Sequence, residues 1–228
     1  MNIDQSVSLV GSPAEAARYA VTRRLLPVLR HHLVVHLQPI GLIYEVLQHK
    51  LRGGDPDLSA IREGLGKINK LARSAVDSSL DVMTWLAPDA KTTITLGAGA
   101  AECLEILSGN FRFRGFTVSN EIGDVPLQVS QVAMREVFTA ALIAITDSAA
   151  GPVDLVLQVQ VSPDKAVISV QTRPGRGTGF STEMAYRAVV WSDVLALAEG
   201  HGVVLKREGP LATLTFAASA GPKSSSIG

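Results

Sequence analysis

Apolar positions in the first third of the chain recur three and four residues apart, and those of the remainder mostly alternate or cluster in short blocks. Ser12-Pro13-Ala14-Glu15 has the form of a helix start, with Ser as N-cap, Pro at the first helical position and Glu closing a capping box. The helical pattern then runs to about Lys50, with Pro27 and Pro39 as kinks or a break. Leu26, Leu29, Leu33, His36, Ile40, Ile43 and Leu47 form one seam along it. Arg52-Gly53-Gly54-Asp55-Pro56 turns the chain, and a second helix from Leu58 to Leu86 repeats the spacing at Leu58, Ile61, Leu65, Ile68, Ala72, Ala75, Ser79, Val82 and Leu86. Two long helices and a short turn predict an antiparallel hairpin. So much apolar seam calls for a second copy, which makes the expected assembly a homodimeric four-helix bundle.

The pattern changes after Ala87-Pro88-Asp89, which predicts a domain boundary. Thr92–Leu96 reads as a strand, Ala100–Leu107 as a short helix, Phe116–Ser119 as a strand and Leu127–Asp147 as a long apolar helix. Val153, Leu155, Leu157, Val159 and Val161 alternate cleanly, turn at Pro163-Asp164 and return over Ala166–Thr172 as a hairpin. Met184–Glu199 reads as helix, then Val203–Lys206 and Ala212–Phe216 as strands. The order β-α-β-α-β-β-α-β-β predicts an α+β sandwich with helices on one sheet face. The expected division is therefore a helical hairpin over 12–87, a sandwich over 90–218 and a disordered tail over 219–228. The glycines between Arg173 and Gly179 lack the Gly-Lys-Ser/Thr ending of a phosphate loop and read as a surface loop.

Composition narrows the function. The 228 residues are 46% hydrophobic and 18% charged, which is globular, and 21 basic against 21 acidic residues leave no net field for nucleic acid or anionic membrane. The longest apolar run is well short of the roughly 20 residues that span a bilayer. Residues 1–12 lack the basic and apolar blocks of a signal peptide, so the expected setting is soluble and cytoplasmic. Cys103 stands alone, without a disulfide partner or thiol cluster, among Ala101, Leu104 and Leu107 as a small buried hydrophobe.

Candidate chemistry lies in Arg30-His31-His32-Leu33-Val34-Val35-His36-Leu37-Gln38-Pro39. Imidazole is both nucleophilic and titratable near neutral pH. With about 100° of rotation per helical residue, His36 falls in the seam, His32 on its flank, and His31 opposite it. His49 also falls opposite the seam, near the helix end, where it complements the dipole. A metal site is weakly supported, because only His32 and His36 have i,i+4 spacing and no carboxylate or thiol lies nearby to complete it.

A histidine-bearing hairpin ahead of this order of strands and helices resembles the two-component histidine kinases, from about Leu25 to Phe216. The resemblance implies a dimerisation and phosphoacceptor hairpin followed by an ATP-binding domain of the Bergerat (GHKL) type. The family's acceptor segment reads His, acid, Leu, with Pro shortly after. His31-His32-Leu33 matches the first and third positions and puts the acceptor on His31; His32 replaces the acid and His36 the proline. In the second domain, Ala140 and Ala144 stand where the family has magnesium- and phosphate-binding asparagines, and alanine has no oxygen to give a hard cation. Thr172-Arg173-Pro174 stands where the adenine-binding Asp-x-Gly belongs, and Trp191-Ser192-Asp193-Val194-Leu195 near the place of the Gly-x-Gly lid. His201-Gly202 matches a structural landmark before the last strands.

The resemblance therefore implies a degenerate ATPase-like domain that binds no ATP and needs no cofactor of its own. Two functions are expected from it. One is a histidine phosphotransfer protein of the ChpT type, relaying phosphoryl groups to or from response-regulator receiver domains. There His31 is the phosphoacceptor, His32 an orienting residue, Arg30 and Arg24 the docking cations, and the receiver supplies the magnesium. The alternative is a pseudokinase scaffold that binds a sensor kinase or response regulator without phosphorylation. An active kinase with unusual ATP contacts is the least supported.

Overall fold

The computed structural model describes residues 12–53, 57–178 and 186–219. The chain forms two compact units, one of residues 25–89 and one combining the described residues up to Arg24 with those from Ala90 onward. One boundary between the units falls between Asp89 and Ala90, the other between Arg24 and Leu25. Residues 12–24, expected with the hairpin, group instead with the second unit.

Helix α1 spans Pro13–Val34, α2 Gln38–Leu51 and α3 Leu58–Leu86. Ser12 caps α1, its Oγ accepting the Glu15 N–H at 3.2 Å. Pro27 is accommodated inside α1, whereas the chain breaks over Val35-His36-Leu37 and restarts with Pro39 in the first turn of α2. A proline there needs no amide donor, so it suits a helix start better than an interior. Asp57 caps α3 by accepting the Ser59 and Ala60 N–H groups at 2.9 and 3.2 Å. Helices α2 and α3 meet closely at Gly64, where an added Cβ would lie 2.6 Å from a Leu47 methyl carbon.

The expected single seam of α3 divides in two. Ile61, Ile68, Ala75, Ser79 and Val82 turn inward with Gly64, and Leu58, Leu65, Ala72 and Leu86 are exposed. Leu58, Leu65, Val76, Leu80 and Met83 compose a second apolar stripe, rotated about 100° from the first by the helical repeat. An apolar face of this length on one helix is beyond what a lone soluble hairpin usually exposes.

In the other unit, β1 (Thr93–Thr95) pairs antiparallel with β3 (Gln128–Ser130), a strand the sequence pattern does not reveal. Helix α4 runs over Leu96–Phe113, longer at both ends than expected. Its glycines lower helix propensity but serve close packing: an added Cβ on Gly97 would come within 2.5 Å of the Gly123 carbonyl oxygen. After β2 (Thr117–Asn120) and β3, the buried helical stretch comprises α5 (Gln131–Ala133), a π-helical turn (Met134–Phe138) and α6 (Thr139–Asp147).

The hairpin of β4 (Val153–Ser162) and β5 (Lys165–Pro174) follows, then α7 (Trp191–His201), β6 (Val204–Glu208) and β7 (Leu211–Ala217). The main sheet has the order β2-β4-β5-β7-β6, parallel between β2 and β4 and antiparallel elsewhere. Leu155, Leu157, Ala166, Ile168, Val170, Ala212, Leu214 and Phe216 line its buried face. Val156, Gln158, Val167, Ser169 and Thr213 fall on the opposite face by two-residue alternation.

Helix α7 starts at Trp191, later than the pattern predicts, because Asp193 fixes its first turn by accepting the Val190 N–H at 3.0 Å. Gly202, in the left-handed region at φ 64°, ends it. Of the expected tail, Ser219 still donates its N–H to the Gln128 carbonyl at 2.8 Å, and 220–228 lie outside the described residues, as do Met184 and Gly179. No helix among the described residues is long and apolar enough to cross a membrane.

Candidate functional site

His31 and His32 occupy the last turn of α1, and the His31 carbonyl accepts the Val35 N–H at 2.9 Å. The His31 ring is exposed, those of His32 and His36 are half-buried, and His49 is exposed in the last turn of α2. His31 and His32 stand side by side, ring centroids 6.5 Å apart and planes tilted by 54°. Among these neighbours His31 therefore offers its nitrogens to a partner at the least cost in desolvation. His36 lies in the turn between α1 and α2, not on a continuous helical seam. Arg30, next to His31, is exposed.

Arg24 is not an exposed docking cation. Its side chain is 8% exposed and donates to Asp147 Oδ1 at 2.8 Å. Asp147, at the C-terminus of α6 with a fully buried side chain, also accepts Arg114 Nη1 at 2.9 Å and the Val189 N–H, on Oδ2, at 3.1 Å. A buried carboxylate at the negative end of a helix dipole needs such compensation, and Arg24 supplies part of it. No local pattern could reveal this, since the partner lies 123 residues away.

A second cluster, also missed from sequence, surrounds Glu136 on the π-helical turn. Arg18 grips its carboxylate with two bonds, 2.6 Å from Nε and 3.0 Å from Nη2, and His201 Nε2 lies 2.8 Å from Oε2. Burial alone would raise the Glu136 carboxyl, but the hydrogen bonds from His201 and Arg18 and the Arg18 charge outweigh it and hold it below the ordinary range. His201 is thus a partner of Glu136 as well as the residue before a helix-ending glycine. Beside this cluster, Arg135 pairs with Glu102, and Cys103 is fully enclosed. Burial pushes the Cys103 thiol to about 12, so it is unreactive.

Ala140 and Ala144 are enclosed on α6 among Leu142, Ile143 and Ile145. Thr172 spends both its N–H and its hydroxyl on the Pro210 carbonyl, at 2.9 and 3.0 Å. The glycines after β5 serve backbone approach: an added Cβ would meet the Pro152 carbonyl oxygen at 2.9 Å from Gly175 and that of Gly115 at 2.1 Å from Gly177. Among the described residues, no group of three or more His, Cys, Asp or Glu is placed to hold a metal ion.

No protein-family model and no curated protein matches the chain. Solved structures do. The histidine kinase AdeS of Acinetobacter baumannii is similar to it at 16% identity over 79% of this chain and 96% of its own, with a TM-score of 0.40. A histidine kinase from Burkholderia phymatum is similar at 17% identity over 90% of this chain and 98% of its own, with a TM-score of 0.40. A bacterial phosphotransferase is similar at 17% identity over 86% of this chain and 95% of its own, with a TM-score of 0.39.

Proposed function

We propose that the protein is a dimeric histidine phosphotransfer protein of a two-component relay, accepting and donating phosphoryl groups at His31 without binding ATP. The observation that carries the proposal is the exposed imidazole of His31 on a short helical unit, with the neighbouring His32 and His36 drawn inward. In the forward step a ring nitrogen of neutral His31 attacks phosphorus of a receiver's aspartyl phosphate. The N–P bond forms as the aspartyl O–P bond breaks, and the carboxylate leaves on the receiver. Return transfer reverses these bonds. The receiver brings the magnesium, so this chain needs no oxygen ligands at Ala140 or Ala144. Arg30 supplies positive charge beside the acceptor, and His32 orients it. The second apolar stripe of α3 supports a second copy packed against it as the other half of a four-helix bundle.

The pseudokinase scaffold is the second reading. It is favoured by Arg24, whose commitment to Asp147 leaves one of the two expected docking cations out of reach of a partner. Radiolabelled phospho-receivers from the same cell separate the two. Relay requires label on the wild type, loss of it in His31→Ala and retention in His36→Ala. Label persisting in His31→Ala, or absent with every receiver tried, overturns relay through His31.

A further inference from the structure

Among the described residues the main sheet has two unpaired edges, and they differ in kind. At one edge, β6 carries Lys206, Arg207 and Glu208, all exposed, and charges on an edge strand discourage a foreign strand from pairing. At the other, β2 consists of Thr117, Val118, Ser119 and Asn120, with no charge. Glu121 donates its N–H inward to the Leu157 carbonyl at 2.8 Å. By the two-residue alternation of a strand, Thr117 and Ser119 also address β4, and the N–H and C=O groups of Val118 and Asn120 point outward.

Alongside this edge lies a groove of about 600 Å³, within the range of binding clefts. Ala101, Leu104 and Val118 supply its apolar surface, over a floor of buried Phe111 and Phe116. Phe111 and Phe116 meet edge to face, centroids 6.3 Å apart. Ser108, exposed on α4, lies on the helical wall, which carries Glu105 and Arg112 as exposed opposite charges. Seven helical residues separate these two by about 10 Å; strand residues four apart share a face and lie about 13 Å apart, so their long side chains can meet both charges. The chain reverses at Gly115, so Arg112 stands toward the Thr117 end of β2 and Glu105 toward the Asn120 end.

We infer that this groove takes an extended segment of another protein as a sixth strand beside β2. Apolar side chains at alternate positions fill the groove, an acidic residue faces Arg112, and a basic residue faces Glu105. A second copy of this chain is a poorer occupant, because its β2 would bring one apolar side chain, Val118, and three polar ones to an apolar groove. This inference is independent of phosphotransfer at His31, and loss of either leaves the other standing.

The test uses the full chain and a short fluorescein-labelled peptide with valines at alternate positions and, on the same face, a glutamate and a lysine four residues apart, read by anisotropy and by hydrogen exchange. Saturable binding is expected, with slowed exchange at the Val118 and Asn120 amides. Ser108→Trp, which fills the groove, should weaken binding by about tenfold or more, equivalent to about 1.4 kcal/mol. The paired exchange Glu105→Arg with Arg112→Glu should turn the preference toward a peptide with its charges swapped, and needs no change in packing. Absent saturation, unchanged exchange at Val118 and Asn120, or equal binding by Ser108→Trp overturns the inference. Self-association of the wild type that Ser108→Trp abolishes also overturns it, by giving the groove to a second copy.

Discussion

Replacing Asp147 tests the main electrostatic node of the α+β unit. The carboxylate is 0% exposed and holds Arg24, Arg114 and the Val189 amide at 2.8, 2.9 and 3.1 Å. Asp147→Ala leaves two guanidinium groups, 8% and 14% exposed, facing each other without their shared anion. Removing one member of a buried ion pair costs about 3–5 kcal/mol, because an uncompensated charge stays in low dielectric. For a chain of this size each kcal/mol moves the melting midpoint by about 2–4 °C, so the fall should be about 6–20 °C. Asp147→Asn keeps an acceptor but loses the charge and should fall between Ala and wild type. Urea titration, with the midpoint separated from the slope, gives the free energy directly. A loss below about 1 kcal/mol for Asp147→Ala, the range of an exposed pair, would refute the assignment of a buried node.

Glu136 has a carboxyl held below its ordinary value in the folded protein, so its stabilisation is present above the unfolded-state value of about 4.3 and is lost as pH falls through the lower folded-state value. Glu136→Gln should therefore be less stable than wild type at neutral pH, with the gap closing below about pH 4 in urea midpoints measured across pH. Gly97→Ala should cost about 1–3 kcal/mol in the same assay, since the new methyl meets the Gly123 carbonyl oxygen at 2.5 Å. Leu65→Glu with Met83→Glu, on side chains 56% and 64% exposed, should convert a dimer to monomer in sedimentation equilibrium without loss of helical circular dichroism. Dimers that survive this pair of changes place the partner elsewhere.

The extent of helix α3 is legible from sequence, because its apolar spacing and flanking turn residues leave few alternatives, but the side it buries is not: almost half of the expected seam is exposed. The β4–β5 hairpin is equally legible from its alternation. Helix α4 is underestimated because Gly97, Gly99 and Gly109 look like breakers, and the benefit of a missing side chain at Gly97 comes from Gly123, distant in sequence. Strand β3 is hidden by its length, three residues whose stability depends on β1. At the candidate site, helical rotation bears on His31 and His32, both on α1, but not on His36, because the helix ends at Val34 and the chain turns there. Rotation cannot distinguish a solvated Arg24 from one committed to Asp147, because both readings put the same cation on the same helix. The Glu136 cluster, joining residues from three separate stretches of chain, is hidden for the same reason.

The π-helical turn at Met134–Phe138 has a consequence for how this chain is compared with others. A π turn accommodates one residue more than an α-helical turn, as an insertion that the helix absorbs without unfolding. Residues before and after it fall out of step by about 100° relative to a continuous α-helix. Against a helix that is α-helical throughout, an ungapped alignment anchored on Ala140 and Ala144 would set Arg135 and Glu136 one place away from their spatial equivalents. Deleting one residue between Met134 and Phe138 would restore ordinary helical register and carry Glu136 off the line of Arg18 and His201.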